Sequence, residues 1–124
     1  MSVFTVEIKE TSKELTKKER VKMKDMSNAI KLDEVTTDGS FILKPDFFVI
    51  LSIHNSKSTD NPDYENIMIV DENGTKYVTG SNSFITNFSE IWNEMKGEDD
   101  WELEVYKKDS KNYKGKQFLT CSIV

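Results

Sequence analysis

The 124-residue sequence predicts a mainly β domain with one helix, and three observations support this class. An apolar run from Phe47 to Asn55, FFVILSIHN, is rich in β-branched and aromatic residues, as strands buried on both faces are. An Asn73-Gly74 pair lies between two short β runs and is a strong local signal for a hairpin. Apolar residues then recur at helical spacing over residues 83–96.

The β runs after the first long strand form two predicted hairpins. Ile67–Val70 and Lys76–Thr79 flank the first turn, where both Asn73 and Gly74 tolerate positive φ. Trp101–Lys107 alternates strictly between apolar and polar residues, and residues 117–124, QFLTCSIV, form a closing strand. The polar stretch KDSKNYKGK between these two strands is the predicted hairpin loop.

The predicted helix has recognisable ends and one apolar face. Ser81, Asn82 and Ser83 are N-cap candidates, and Gly97 stands where a C-terminal glycine is common. We expect the apolar face to cover a core rather than to bind a ligand. Its residues are Phe84, Phe88, Ile91, Trp92 and Met95.

The first 43 residues are less regular. FTVEI near the N-terminus and the segment 20–35 alternate with period two, which predicts additional strands. Residues 11–20 are consistent with a short helix or with an arm. The chain length suits one domain, with residues 1–43 as an N-terminal strand extension or arm and 44–124 as the main body.

From residue 44 onward the predicted order is strand, strand, strand, helix, strand, strand. This is the order of a five-stranded OB-fold barrel, and an α+β sheet with one packed helix is the alternative. In an OB-fold, oligonucleotides lie across the second and third strands between two loops. Those loops correspond here to residues 55–65 and 107–116.

The second of these loops holds the densest cationic and aromatic cluster of the sequence. A single nucleic-acid strand needs cations for its phosphates and aromatic platforms for its bases. The alternative is that these lysines only keep the hairpin soluble and block unwanted strand pairing. The candidate binding residues are Lys57, Tyr64, Tyr77, Tyr106, Lys107, Lys108, Lys111, Tyr113, Lys114 and Lys116.

The distribution of charge is more informative than the net charge of −5. Residues 58–104 hold twelve acidic side chains against two lysines, whereas 105–124 hold five lysines against Asp109. Residues 1–33 hold eight basic and six acidic groups. The basic side chains between Lys13 and Lys24 would extend a positive track if this segment folds beside the main body.

The sequence offers no catalytic constellation, and we expect neither an enzyme nor a bound metal or cofactor. His54 is the only histidine and Cys121 the only cysteine, which excludes an internal disulfide and fits a reducing compartment. The acidic run 98–102 lacks EF-hand spacing, and the five glycines are scattered singly. There is no secretory signal and no membrane-length apolar run, so we expect an intracellular protein without a membrane segment.

The segments DENGTKYVTGSNSF and SKNYKGKQFLTCSI lie in residues 45–124. On these segments, this part of the chain resembles the small single-stranded DNA-binding proteins of bacteriophages that infect Gram-positive bacteria. The resemblance implies an OB-fold protein of phage DNA replication or recombination in the bacterial cytoplasm, binding DNA cooperatively as a homodimer or higher oligomer. The sequence does not decide between DNA and RNA, so RNA is an alternative ligand. The sequence ends in LTCSIV, so we expect no acidic recruiting tail. The competing hypothesis is an acidic protein–protein interaction module, such as a phage inhibitor of a host protein.

Overall fold

A computed structural model of the protein describes residues 4–55, 62–98, 100–110 and 115–124, which contain eight strands and three helices. In chain order the elements are β1 (Phe4–Thr11), α1 (Lys17–Lys24), β2 (Ile30–Lys31), α2 (Leu32–Val35), β3 (Phe41–Leu43), β4 (Pro45–Asn55), β5 (Asp63–Asp71), β6 (Lys76–Thr79), α3 (Asn82–Met95), β7 (Leu103–Asp109) and β8 (Gln117–Ile123). The mainly β class is confirmed, but the expectation of a single helix is wrong.

The strands form two sheets. The five-stranded sheet has the order β1-β4-β5-β6-β2, antiparallel except for the β2–β6 pair, and the three-stranded sheet has the antiparallel order β3-β7-β8. Only Lys44 separates β3 from β4, so one run of chain passes from one sheet into the other. Within the described residues β6 pairs with β2 and not with β8, so these strands do not close into the predicted barrel.

The N-terminal segment is only partly the strand extension that was predicted. FTVEI lies in β1 and Ile30 in β2, as expected, but Val21 and Met23 belong to a helix instead of a strand. The reason is a capping box: the Thr16 hydroxyl accepts from the Glu19 amide, and the Glu19 carboxylate accepts from the Thr16 amide. This local hydrogen bonding fixes a helical start that period-two alternation does not reveal.

Both predicted hairpins are confirmed, with a correction to the first turn. Among the non-glycine residues described, only Asp100 has positive φ, so Asn73 does not adopt the left-handed conformation, whereas Gly74 does, at φ 84°. The Asp71 carboxylate accepts from the amides of Asn73 and Thr75, both at 2.9 Å, and the Gly74 amide donates to the Asp71 carbonyl. The turn therefore has aspartate at its first position and glycine at its fourth, as type I turns favour.

The long helix α3 starts one residue before the predicted range and ends one residue before its end. Ser81 is the N-cap, and its hydroxyl accepts from the Phe84 amide at 3.3 Å. Gly97 follows the C-cap with φ 90°, a conformation that glycine adopts at least cost. The helix packs along β8, so it lies against the free edge of the three-stranded sheet.

Two apolar clusters lie on the two faces of the five-stranded sheet. The inner cluster joins this sheet to α2, α3 and the three-stranded sheet; it consists of Leu32, Leu43, Phe48, Ile50, Ile67, Ile69, Tyr77, Phe84, Phe88, Leu103, Val105, Leu119 and Cys121. The outer cluster consists of Met23, Phe47, Val49, Leu51, Ile53, Met68, Val70 and Val78. Residues 4–31 are here called the N-terminal cover: β1 and β2 form the two edges of the sheet, and the segment between them lies over its outer face.

Candidate nucleic-acid interface

The β7–β8 hairpin presents one face to the core, while α3 covers part of the other face, where Thr120 is 4% exposed and accepts from the Asn87 side-chain amide. Leu103 and Val105 of β7, like Leu119 and Cys121 of β8, point inward and belong to the inner cluster. Strict alternation places the intervening side chains on the outer face. These are Glu104, Tyr106 and Lys108 on β7, paired with Ser122, Thr120 and Phe118 on β8.

Two aromatic side chains and a cation meet on this outer face. Lys108 is exposed and lies directly opposite Phe118 in the strand register, while Tyr106 lies diagonally across from Phe118. Both rings are only half-buried. The Tyr106 hydroxyl is 2.8 Å from the Ser122 hydroxyl, a hydrogen bond that holds the tyrosine along the strand pair.

An open groove of about 490 Å³ runs beside these residues. Its far wall is α3, which contributes Asn87, Glu90 and Ile91. Partly accessible aromatic rings next to an exposed ammonium group fit the chemistry that single-stranded nucleic acid requires. Glu90 on the opposite wall makes the α3 side of the groove less favourable for an anion than the side of Lys108.

Not every lysine of the hairpin extends into solvent. Lys107 lies on the inner side of β7, and its ammonium group donates to the Asp33 carbonyl at 3.0 Å. It therefore ties the hairpin to α2 rather than extending into solvent. Lys116 is exposed, and its carbonyl accepts from the Ser110 amide, which closes the described end of the hairpin.

Two of the predicted tyrosines lie elsewhere. Tyr77 is only 8% exposed and packs against Phe41 in the inner cluster, with ring centroids 5.3 Å apart. Its burial raises the pKa of the phenol, with a further contribution from Asp71. The prediction of a stacking platform at Tyr77 is therefore wrong, because β6 points this ring into the core. Tyr64 is half-buried at the margin of the outer cluster, away from the hairpin face.

Four predicted binding residues lie outside the described residues. They are Lys57, in the loop between β4 and β5, and Lys111, Tyr113 and Lys114, in the loop between β7 and β8. The structure therefore brings together Tyr106, Lys108 and Lys116 of the predicted set on one hairpin.

Phe118 completes this group and was not among the predicted site residues. Its signal was present in the sequence, since it alternates with the apolar residues Leu119 and Cys121 that face the core. A large aromatic residue in the polar phase of an alternating strand indicates either a second packing surface or a binding surface.

The strands expected to carry the oligonucleotide are covered at their centres. In the predicted barrel these were the second and third strands, which correspond to β5 and β6. On their outer face, Met68, Val70 and Val78 lie beneath the N-terminal cover. On their inner face, Ile67 and Ile69 pack into the inner cluster. The apolar sequence of β5 requires burial on both sides, which excludes it as an open binding face.

The remaining chemistry-bearing residues do not converge on this hairpin face. The His54 Nδ1 is 2.6 Å from the Asp63 carboxylate at the end of the β4–β5 pair, in an exposed position. Burial raises the pKa of the Cys121 thiol to about 12, so the thiolate is not the form present at neutral pH. In the described part of the chain no three His, Cys, Asp or Glu residues are grouped to hold a metal ion.

A second cleft, of about 340 Å³, lies at the C-terminal end of α3. Trp92 and Trp101 line it, with ring centroids 5.9 Å apart in an edge-on arrangement. Lys44 is 3.1 Å from the Asp100 carboxylate and 3.7 Å from that of Glu72, which raises the pKa of its ammonium group. Carboxylates dominate the rim of this cleft, through Asp46, Glu72, Glu98 and Asp100.

None of the helices in the described ranges is long and apolar enough to cross a lipid bilayer. Comparison with known proteins gave no match to a protein-family model, to a curated protein or to a solved structure.

Proposed function

We propose that this protein binds single-stranded DNA without catalysing a reaction, through the outer face of the β7–β8 hairpin. One observation carries the proposal: Tyr106, Lys108 and Phe118 lie beside one another on the hairpin face that borders an open groove. Bases stack on the two rings while the ammonium group pairs with the backbone phosphates. Each stacked base contributes about 1–3 kcal/mol to binding.

The sequence adds further cations at the end of the same hairpin. Lys116 is exposed there, and Lys111, Tyr113 and Lys114 lie in the sequence between Ser110 and Gly115. Aromatic residues interspersed with lysines suit binding that tolerates many base sequences, because every base has a π-face and every nucleotide a phosphate.

As the finer description of the fold, we propose an open variant of the OB-fold. Strands β3 and β4, read together as one bent strand, pair with β7 on one side and with β5 on the other. The order of β4, β5, β6, α3, β7 and β8 along the chain also agrees with that fold. In this variant the edge of β6 pairs with β2 of the N-terminal cover.

The family resemblance suggests the biological setting of this binding. We propose that the protein acts in phage-type DNA replication or recombination, in the cytoplasm of a bacterial host, as a homodimer or higher oligomer. RNA is the alternative ligand, because stacking platforms and phosphate contacts do not distinguish the sugars.

Binding of a fluorescent oligothymidine to the full-length chain tests the proposal. We expect Tyr106→Ala and Phe118→Ala each to weaken binding by about 5- to 150-fold, the equivalent of about 1–3 kcal/mol for one lost stacking platform. Tyr106→Phe is the matched control, since it keeps the ring and removes only the hydroxyl that meets Ser122. It should bind within about threefold of the parent protein, because stacking requires the π-face alone.

Two results would overturn this assignment. Absence of binding by the parent protein at low salt would exclude the function itself. Unchanged affinity in both alanine variants, with the parent binding normally, would exclude the hairpin as the site. Competition with oligouridine of equal length decides between DNA and RNA.

The cleft beside Trp92 and Trp101 favours a second candidate function, docking to a basic protein surface. Indole faces attract cations, and the carboxylates on the rim add to that attraction. The same oligonucleotide titration separates the two candidates. A docking module predicts no oligonucleotide binding, together with a change in tryptophan fluorescence when an arginine-rich peptide is added, since the only two tryptophans of the chain line this cleft.

A further inference from the structure

The surface of α1 carries a concentration of positive charge that the hairpin does not explain. Five of its eight residues are basic and one is acidic, in a protein of net charge −5. All five cations are exposed, and none forms an ion pair with another residue in the described ranges. They are Lys17, Lys18, Arg20, Lys22 and Lys24.

The helix holds these cations close together despite their mutual repulsion. Lys18 and Lys22, like Arg20 and Lys24, are four residues apart, a spacing at which like charges destabilise a helix. The only acid of α1, Glu19, is used in the capping box and in an ion pair with Lys13. The repulsion is therefore not relieved within the helix, and a polyanion would relieve it.

The helix is also fixed in place. Met23 is buried in the outer cluster and anchors α1 to the five-stranded sheet. At its C-terminal end, the Lys76 ammonium group donates to the carbonyls of Lys22 and Asp25, at 3.0 and 2.8 Å. A positioned row of cations loses less conformational entropy on binding than a row on a mobile arm.

Successive contacts connect α1 to the hairpin. Lys76, which holds the end of α1, begins β6, and β6 pairs with β2. β2 leads directly into α2, whose Asp33 carbonyl accepts from Lys107 of β7. α1 lies on the outer face of the five-stranded sheet and the hairpin on its inner face, and both are linked to the edge that β6 and β2 form. Exposed Lys31 of β2 lies at this edge.

We infer that α1 is a second contact surface for nucleic acid, which pairs with backbone phosphates while the hairpin face stacks bases. This inference rests on the proposed function and deepens it. A membrane surface fits α1 less well, because its only exposed apolar side chain is Val21, whereas a membrane-bound helix needs a continuous apolar face. Phosphate pairing through lysine and arginine requires no such face and depends strongly on salt.

The test is the salt dependence of oligothymidine binding by the full-length chain. The variant Lys18→Glu/Lys22→Glu reverses two α1 cations. We expect at least tenfold weaker binding at low salt, and a slope of log K against log salt that is shallower by about 1.4, because each single-strand phosphate contact contributes about 0.7. The control is Lys9→Glu/Lys96→Glu, which changes the net charge equally at two exposed lysines outside α1 and should leave the slope unchanged. Lys9→Glu also breaks an exposed ion pair with Glu65, so this control needs the folding check as much as the α1 variant does.

Circular dichroism and the protection of Cys121 from thiol reagents check that both variants are folded. An unchanged slope in the α1 variant, with binding still lost in Tyr106→Ala, would overturn the inference and leave the proposed function standing. Equal weakening in the control would also overturn it, since general charge would then be the cause. Failure of the parent to bind any oligonucleotide would overturn both, and α1-dependent binding to vesicles containing phosphatidylserine, without oligonucleotide binding, would reassign the helix to lipid.

Discussion

Both faces of the five-stranded sheet are apolar, but they are covered in different ways. The inner face packs against α3 and the three-stranded sheet, and Phe84 and Phe88 of α3 are 0% exposed there. The outer face is closed by the N-terminal cover, in which Met23 is the only described apolar side chain that is fully buried. Thin covers open at lower cost than cores do, so the two faces should differ in local stability.

The kinds of contact differ as well. Phe88 of the inner cluster has ring centroids of Phe48, Phe84 and Trp92 within 6.0 Å. On the outer face the corresponding ring contact is the Lys13 ammonium group, 4.1 Å from the centre of Phe47. Such a cation–π contact at an exposed site contributes only about 0.5–1 kcal/mol. We therefore expect the inner cluster to unfold as one cooperative core and the N-terminal cover to behave as a separately attached layer.

The largest effect is expected from Phe88→Ala. Removing this ring leaves a cavity among aromatic neighbours, which costs about 3–5 kcal/mol of unfolding free energy. Urea denaturation measures this loss. Phe118→Ala is the surface control and should cost far less, because its ring is only half-buried.

Cys121 provides an independent measurement for Phe88→Ala. This single cysteine is 5% exposed and burial raises the pKa of its thiol, so a thiol reagent should react slowly with the folded protein and faster once the packing around Cys121 opens. Its labelling rate should rise by about two to three orders of magnitude, in keeping with a factor of ten for every 1.4 kcal/mol. A rise of less than tenfold in the labelling rate would show that Cys121 becomes accessible without loss of the packing around Phe88.

A smaller and more local effect is expected from Met23→Ala. Methionine-to-alanine substitutions in cores cost about 2–5 kcal/mol, and we expect the lower end, because the cover can detach while the inner cluster stays intact. Limited proteolysis should cleave the variant within residues 11–31 faster than the parent. The labelling rate of Cys121 should stay within about threefold of the parent, and an increase like that of Phe88→Ala would show that both faces unfold as one unit.

The smallest effects are expected from the two helix caps. Ser81→Ala and Thr16→Ala each remove a hydroxyl that accepts from a backbone amide, at a cost of about 1 kcal/mol. For Ser81 the cost should appear in urea denaturation and in faster labelling of Cys121, since α3 is part of the inner cluster. For Thr16 it should appear as faster amide hydrogen exchange in α1, with labelling of Cys121 unchanged. The reverse pattern would contradict the separation of the two layers.

Sequence patterns predicted the second half of the chain well. The Asn-Gly turn, the serine N-cap and the alternating β7 strand are local signals, and the structure has a hairpin, a helix and a hairpin at those places. The first 43 residues were predicted poorly because α1 is short and has only one buried residue, Met23, so it lacks an apolar stripe for periodicity to detect.

The residues of the candidate site were also predicted only in part. Tyr106 and Lys108 were predicted from composition and from their place on a hairpin, and the strand register brings them together with Phe118. The prediction for Tyr77 was wrong, because the sequence of a short strand does not show whether its aromatic residue faces solvent or the core. Only the packing of Phe41 against it decides the matter.

From residue 45 onward, the sequence by itself determined which segments form strands, that a serine near position 81 starts the long helix, and that lysines are concentrated in the C-terminal hairpin. These properties depend on neighbours within a few residues, through turn geometry, capping and side-chain alternation. The tertiary structure alone decided that residues 4–31 cover the outer face of β4 to β6, that β2 takes the edge of β6, and that Lys107 is tied to α2. Such choices depend on which apolar face is left to bury once the sheet has formed, and that is a property of the assembled chain.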